Sequence, residues 1–125
     1  MKYKSFEEMP VWEASIRAAK VIYDITGCRK WNNEFSLKDQ IRRAVCSISS
    51  NIAEGFEYDN NGDFIRFLRI AKGSLGEVKS QLYLAESLGL LEKDDFKKGY
   101  DTMGTLGKQL GGFIKYMKQY TPKQI

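Results

Sequence analysis

Ser36-Leu37-Lys38-Asp39-Gln40-Ile41-Arg42-Arg43-Ala44-Val45-Cys46-Ser47-Ile48-Ser49-Ser50-Asn51-Ile52-Ala53-Glu54-Gly55 reads as one amphipathic helix. Ile41, Ala44, Val45, Ile48 and Ile52 recur at spacings of three and four, which lines them up on one face of a helix of period 3.6. Ser36 with Asp39 three residues on is a variant of the capping box, so the helix is expected to start there, run to Glu54 and have Gly55 behind it. A helix with an apolar stripe this narrow needs partners to cover it.

Working outward, the same period returns three more times. Val11, Ala14, Ala18, Val21, Ile22 and Ile25 predict a first helix from Pro10 to Thr26, with proline in the favoured first turn and Gly27 closing it. A polar connection, Cys28 to Phe35, follows. Asn60-Asn61-Gly62-Asp63 predicts a turn into a third helix over Asp63 to Leu88, with Phe64, Phe67, Leu68, Ile70, Ala71, Leu75, Val78, Leu82 and Ala85 facing inward. Gly89 followed by Leu90 resembles a Schellman ending. Asp94 or Glu92 is expected to cap a fourth helix carrying Phe96, Tyr100, Met103, Leu110, Ile114 and Met117, and Thr121-Pro122 to stop it. The only two prolines are Pro10 and Pro122, so nothing between them breaks a helix. Four long helices joined by short connections predict an all-α, antiparallel up-down-up-down four-helix bundle, one soluble domain over residues 1–125.

Composition narrows the chemistry. The chain has no histidine, which removes catalytic triads, zinc-hydrolase sites and two-histidine iron sites. Cys28 and Cys46 imply no disulfide framework in a chain of this length and are expected to be reduced thiols in a cytoplasm. Neither a secretory signal nor a transmembrane stretch is expected. No cofactor, metal or small-molecule substrate is expected, and the chain reads as a non-enzyme. Residues 1–101 carry 16 Lys/Arg and 16 Asp/Glu, so the net charge of +4 comes wholly from Lys108, Lys115, Lys118 and Lys123.

Two features fit helices poorly. Gly73, Gly76, Gly104, Gly107, Gly111 and Gly112 lie inside predicted helices, where each costs up to ~1 kcal/mol against alanine. Close approach of two backbones is the expected reason. Helix two also carries a polar stripe, Gln40, Arg43, Ser47, Asn51 and Glu54 (with Ser50), and helix three another, Ser74, Glu77 and Gln81. Short neutral donors and acceptors at helical spacing predict a partly buried structural network. Arg43 and Arg66 are candidate buried partners for Glu54 and Glu77.

The run Gln40 to Gly55, continued by Phe64-Ile65-Arg66-Phe67-Leu68-Arg69-Ile70-Ala71-Lys72-Gly73-Ser74, then Glu77, Gln81-Leu82, Ala85 and Leu88-Gly89, closely resembles the signature of the 23S rRNA intervening-sequence proteins. Val11-Trp12, Ala14, Ile22-Tyr23 and Thr26 add to it from helix one, and polar and glycine positions match as well as apolar ones. Ser49 departs from the pattern where the family often has proline. The resemblance implies a small bacterial four-helix bundle without catalytic activity. It also implies a fold similar to the accessory protein of diversity-generating retroelements, and a tendency to form homopentameric rings.

Together these readings predict a ring-forming accessory protein that binds RNA or a nucleoprotein partner. The contact would run through Lys108, Lys115, Lys118 and Lys123, joined by Lys2 and Lys4 at the same end of the bundle. Arg42, Arg43, Arg66 and Arg69 are alternative contacts. A protein-interaction scaffold without nucleic acid is the competing expectation. Trp12, Tyr23, Phe64, Phe67 and Tyr83 widen the apolar arcs of helices one and three, and some of them are expected to lie between subunits of a homo-oligomer.

Overall fold

A computed structural model describes residues 3–120. Four helices dominate it: α1 (Pro10–Ile25), α2 (Phe35–Glu57), α3 (Asn61–Ser87) and α4 (Lys93–Tyr120). Short 3-10 turns, Phe6–Glu8 and Arg29–Trp31, precede α1 and α2. α1 packs on α2 and α4, and α3 on the same two, so the chain runs up and down around a square with α1 and α3 on one diagonal. This is the antiparallel four-helix bundle expected from the apolar period. Its core is a column of fully buried side chains, among them Ile22, Ile41, Ile48, Ile52, Leu68, Leu82, Met103, Leu110 and Met117. Each such side chain contributes roughly 1.5–3 kcal/mol of burial free energy.

The helix ends follow local chemistry. Asn60 Oδ1 accepts the backbone N–H of Asp63 at 2.9 Å and caps α3. Gly89, at φ 78°, ends that helix. The Leu90 N–H reaches back to the Ala85 carbonyl at 2.9 Å, and the Gly89 N–H to that of Glu86 at 3.0 Å, as the Schellman motif requires. The start of α2 departs from expectation. The helix begins at Phe35, one residue before Ser36, and Asp39 bonds Arg43 at 2.8 Å instead of closing a capping box. An arginine one turn away offers that carboxylate a charged partner, which a backbone N–H does not. α4 starts at Lys93, and the Glu92 carboxylate pairs with Lys30 of the α1–α2 connection. That pairing holds the Glu92 carboxyl below its ordinary value and the Lys30 ammonium above its own. The expected stop at Thr121-Pro122 lies outside the described residues.

The glycine expectation is corrected. Gly73, Gly76, Gly104 and Gly112 have open space where a side chain would stand, Gly107 meets only Leu75 at ordinary contact, and Gly111 meets only Lys72. Close approach occurs elsewhere. α2 does not end at Glu54 but continues to Glu57, and Gly55 is buried inside it. A Cβ on Gly55 would fall 2.5 Å from Phe67 Cβ and 3.1 Å from Phe64 Cδ1. Gly99 of α4 is the second tight point, 2.7 Å from Ile25 Cδ1.

Three further expectations change. The α1–α2 connection is not simply polar, because Trp31 is 0% exposed within it. A buried indole anchors the crossing through its large apolar area. Phe64 and Phe67 are buried within the chain and are unavailable to a neighbouring subunit, whereas Tyr23 and Tyr83 are exposed. Trp12 is half-buried, edge-on to Phe6 at 5.0 Å.

Arg42 joins α1 to α2. Its Nε donates to Thr26 Oγ1 at 2.9 Å and its Nη2 to the Tyr23 carbonyl at 3.1 Å, while the guanidinium lies 4.3 Å from the centre of the Tyr23 ring. Thr26 is itself buried and donates to the Ile22 carbonyl at 2.7 Å. The cation therefore sits where the carbonyls at the C-terminus of α1 concentrate negative charge.

Substitutions at the glycines and at Arg42 test this account. Gly55→Ala should cost about 1–3 kcal/mol in urea unfolding, because Phe67 Cβ cannot move away without its helix. Gly76→Ala and Gly104→Ala should each raise stability by about 0.5–1 kcal/mol; a loss at these open positions would contradict the geometry. Arg42→Ala should lower stability by about 1–3 kcal/mol, since Thr26 loses a buried partner. Arg42→Lys should recover little of it, because an ammonium cannot fork to both acceptors.

Candidate nucleic-acid interface

α4 has no acid after Asp101. Lys108 and Lys115 are seven residues apart, two turns along one side of the helix, and Lys118 lies a further turn on. All three are exposed, and among the described residues none of them forms an ion pair. Lys97, nearer the start of the helix, is instead tied to Asp101 at 2.8 Å, which raises its pKa.

Folding adds two cations that spacing along α4 does not reveal. The Lys72 ammonium of α3 lies 3.8 Å from the point where a Cβ on Gly111 would be, so its side chain crosses onto α4 where that helix has none. Arg69, one turn before Lys72, is exposed and forms no ion pair among the described residues. Lys72 escaped the sequence reading because only the packing of α3 on α4 makes it a neighbour. Lys4 is exposed, and its backbone N–H donates to Glu8 Oε1 at 3.0 Å. Its neighbour Tyr3 meets Phe113 at 6.5 Å between ring centres, which sets the N-terminal segment against the far half of α4. Lys2 and Lys123 lie outside the described residues.

The other three arginines considered from sequence, Arg42, Arg43 and Arg66, are engaged. Arg42 holds α1, as described above. Arg43 pairs with Asp39, and Arg66 pairs with Asp63 at 3.8 Å while covering the Phe67 ring at 4.7 Å. Neither reaches Glu54 or Glu77, contrary to the pairing considered from sequence. A carboxylate one turn away on the same helix is already within reach of each, so no buried interhelical ion pair has to be desolvated.

The polar stripe divides. Asn51 Nδ2 donates to the Ser47 carbonyl at 2.8 Å and to Ser47 Oγ at 2.9 Å, and Ser74 Oγ donates to Ser47 Oγ at 3.0 Å across the α2–α3 boundary. Gln81 is buried and reaches Glu77 at 3.4 Å, while its own Oε1 has no partner among the described residues. Gln40 bonds Ser36 on its own helix. Gln40, Arg43, Ser50, Glu54 and Glu77 are exposed. The interhelical part of the stripe is thus Ser47, Asn51 and Ser74.

Among the described residues no three Cys, Asp or Glu side chains come together as a metal site, and no helix is long and apolar enough to cross a membrane. A depression of about 690 Å³ beside Phe35, Ser36, Lys38, Asp39 and Arg42 is open to solvent.

Comparison with known proteins agrees with the helix pattern. A crystal structure of a protein of unknown function from the S23 ribosomal protein family of Bacteroides thetaiotaomicron superposes with a TM-score of 0.74 at 25% identity, over 84% of this chain and 98% of that one. No curated protein matches the chain. Residues 7–112 match the family described as 23S rRNA-intervening sequence protein. On that match, which spans all of α1, α2 and α3 and most of α4, the chain belongs to the 23S rRNA-intervening sequence protein family.

Proposed function

We propose that this chain is a non-catalytic accessory protein that assembles as a homo-oligomeric ring and binds RNA through the outer edge of α4. The observation that carries the RNA contact is the acid-free run of Lys108, Lys115 and Lys118, joined from α3 by Arg69 and Lys72. Exposed cations without carboxylate partners keep their charge available to phosphates, and each phosphate they neutralise releases condensed counterions. The family's description by an rRNA intervening sequence supports an RNA partner.

Two exposed apolar patches support the ring. Leu84 in the last turn of α3 and Leu88 just after it are 49% and 54% exposed and lie one turn apart. Ile16 and Tyr23 are exposed on α1, the helix diagonally opposite. Different patches on opposite sides of a subunit suit a head-to-tail contact, which closes into a ring when its rotation allows. Repetition around a ring would multiply weak phosphate contacts through effective concentration. The same patches favour a second reading, a protein scaffold without nucleic acid.

RNA affinity should fall linearly with salt on a log–log plot, with a slope of ~0.7–0.9 for each phosphate neutralised. Replacing Lys108, Lys115 and Lys118 with glutamine should flatten that slope and weaken all sequences alike, since phosphate contacts do not read bases. Melting should hold within ~0.5 kcal/mol. Wild-type protein that binds no RNA even at low salt would transfer the reading to the scaffold. For assembly, light scattering should give a multimer at micromolar concentration, and Leu84→Glu with Leu88→Glu should return it to a folded monomer. A strictly monomeric wild type would end the ring proposal.

A further inference from the structure

We infer that the RNA held by α4 is single-stranded, its bases stacking on a ladder of Phe113, Tyr116 and Tyr120 while its phosphates follow the lysines of the same helix. This inference rests on the RNA reading above and narrows it. Spacings of three and four put the three rings on one face, and the planes are nearly parallel. Phe113 and Tyr116 are 6.1 Å apart between centres at 16°, and Tyr116 and Tyr120 are 5.6 Å apart at 19°. The inner ring is fixed on the core, edge-on to Phe64 at 5.9 Å and 74°. The outer two rings are open to solvent, Tyr116 at 38% and Tyr120 at 43% exposure. A cleft of about 270 Å³, walled by Tyr3, Pro10 and Val11, runs beside Gly112, Phe113 and Tyr116.

Lys115 and Lys118 alternate with these aromatics along the chain, so rings and ammonium groups lie on opposite flanks of one helix, with Gly112 on the face between them. Gly112 is one turn from both Lys108 and Tyr116, and nothing stands where its side chain would be. A sugar–phosphate chain can therefore cross the helix there, with phosphates on one side and bases on the other. Aromatic platforms beside a basic track are the means by which proteins hold single strands, because every base offers a π-face. An A-form duplex hides those faces in its stack and presents mainly phosphates and 2′-hydroxyls.

The other exposed aromatic group offers less, although Phe96 and Tyr100 stack in the same way, 5.4 Å apart at 17°. Tyr83 meets Phe96 at 59° and Tyr100 at 72°, and Lys79 covers the Tyr100 ring. Its outermost ring, Tyr83, is tilted off that stack, and its cation already covers a ring face. The family match stops at residue 112, immediately before the ladder, so Phe113, Tyr116 and Tyr120 are features of this chain outside the matched region.

The test uses the full chain and two labelled probes, an oligouridylate of about twelve nucleotides, within the span of single-strand sites, and a perfect RNA duplex of the same length. Fluorescence anisotropy should give tighter binding of the single strand. Tyr116→Leu with Tyr120→Leu should weaken it about 10- to 100-fold, from the usual contribution of one or two stacked bases. Tyr116→Phe with Tyr120→Phe should retain binding, and the salt slope should hold in both variants. Equal binding of strand and duplex, or indifference to the leucine pair, would overturn the inference while leaving the lysine contact in place. Failure of both probes to bind wild type would overturn the two together. A leucine pair that changes the oligomer size but not RNA affinity would assign the ladder to a subunit contact and also overturn the inference. The wild-type comparison of strand with duplex needs no variant and stands whatever the variants do to folding.

Discussion

Phe67 occupies the space that a side chain at position 55 would need, and the near half of the bundle depends on that exclusion. Because Gly55 has no Cβ, α2 and α3 come together at the end where their connecting turn lies, with Phe67 and Phe64 laid against bare backbone. The consequences pass outward from ring to ring. Tyr58 stacks on Phe67 at 5.0 Å, Phe56 meets Phe64 edge-on at 5.9 Å, and Phe64 in turn supports Phe113 of α4. One missing methyl group thus sets the position of an aromatic series that starts in the turn between α2 and α3 and ends in solvent beside the lysines.

The other half of the bundle is held by different means. Its connections are tied by individual side chains, alongside the Tyr83, Phe96 and Tyr100 cluster between α3 and α4. Trp31 is buried in the α1–α2 crossing, Lys30 of the same crossing pairs with Glu92 before α4, and Arg42 donates to the Tyr23 carbonyl and the Thr26 hydroxyl at the end of α1. The exposed ion pairs contribute little individually. The buried indole and the Arg42–Thr26 bond carry more, since their loss leaves a void or an unpaired polar atom.

The helices themselves were legible because they depend on local rules. Period, the turn at Asn60-Asn61-Gly62-Asp63 and the Gly89-Leu90 ending all act within a few residues, and the structure contains them. What depends on a second segment was not legible. Six helical glycines pointed to close packing, yet the tight points are Gly55 and Gly99, because a glycine reports permission to approach without saying who approaches. Phe64 and Phe67 read as surplus apolar surface until Gly55 supplied their pocket. Lys72 reads as one more surface cation until Gly111 brings it to α4. Arg43 and Arg66 were matched to distant carboxylates although nearer ones lay on their own helices.

The open glycines of α4 bear on how the molecule breathes. Gly104, Gly107, Gly111 and Gly112 each lower helix propensity by about 0.8–1 kcal/mol, so this half of α4 is a poor helix on its own. Its order is borrowed from Met103, Leu106, Leu110, Ile114 and Met117, which are buried against the other three helices. Amides here should exchange with solvent through local openings well below the cost of global unfolding. A ligand that recognises the helical form alone would close those openings in proportion to its occupancy. The segment that carries the lysines and the aromatic rings is thus the part of the fold whose order a bound strand would change most.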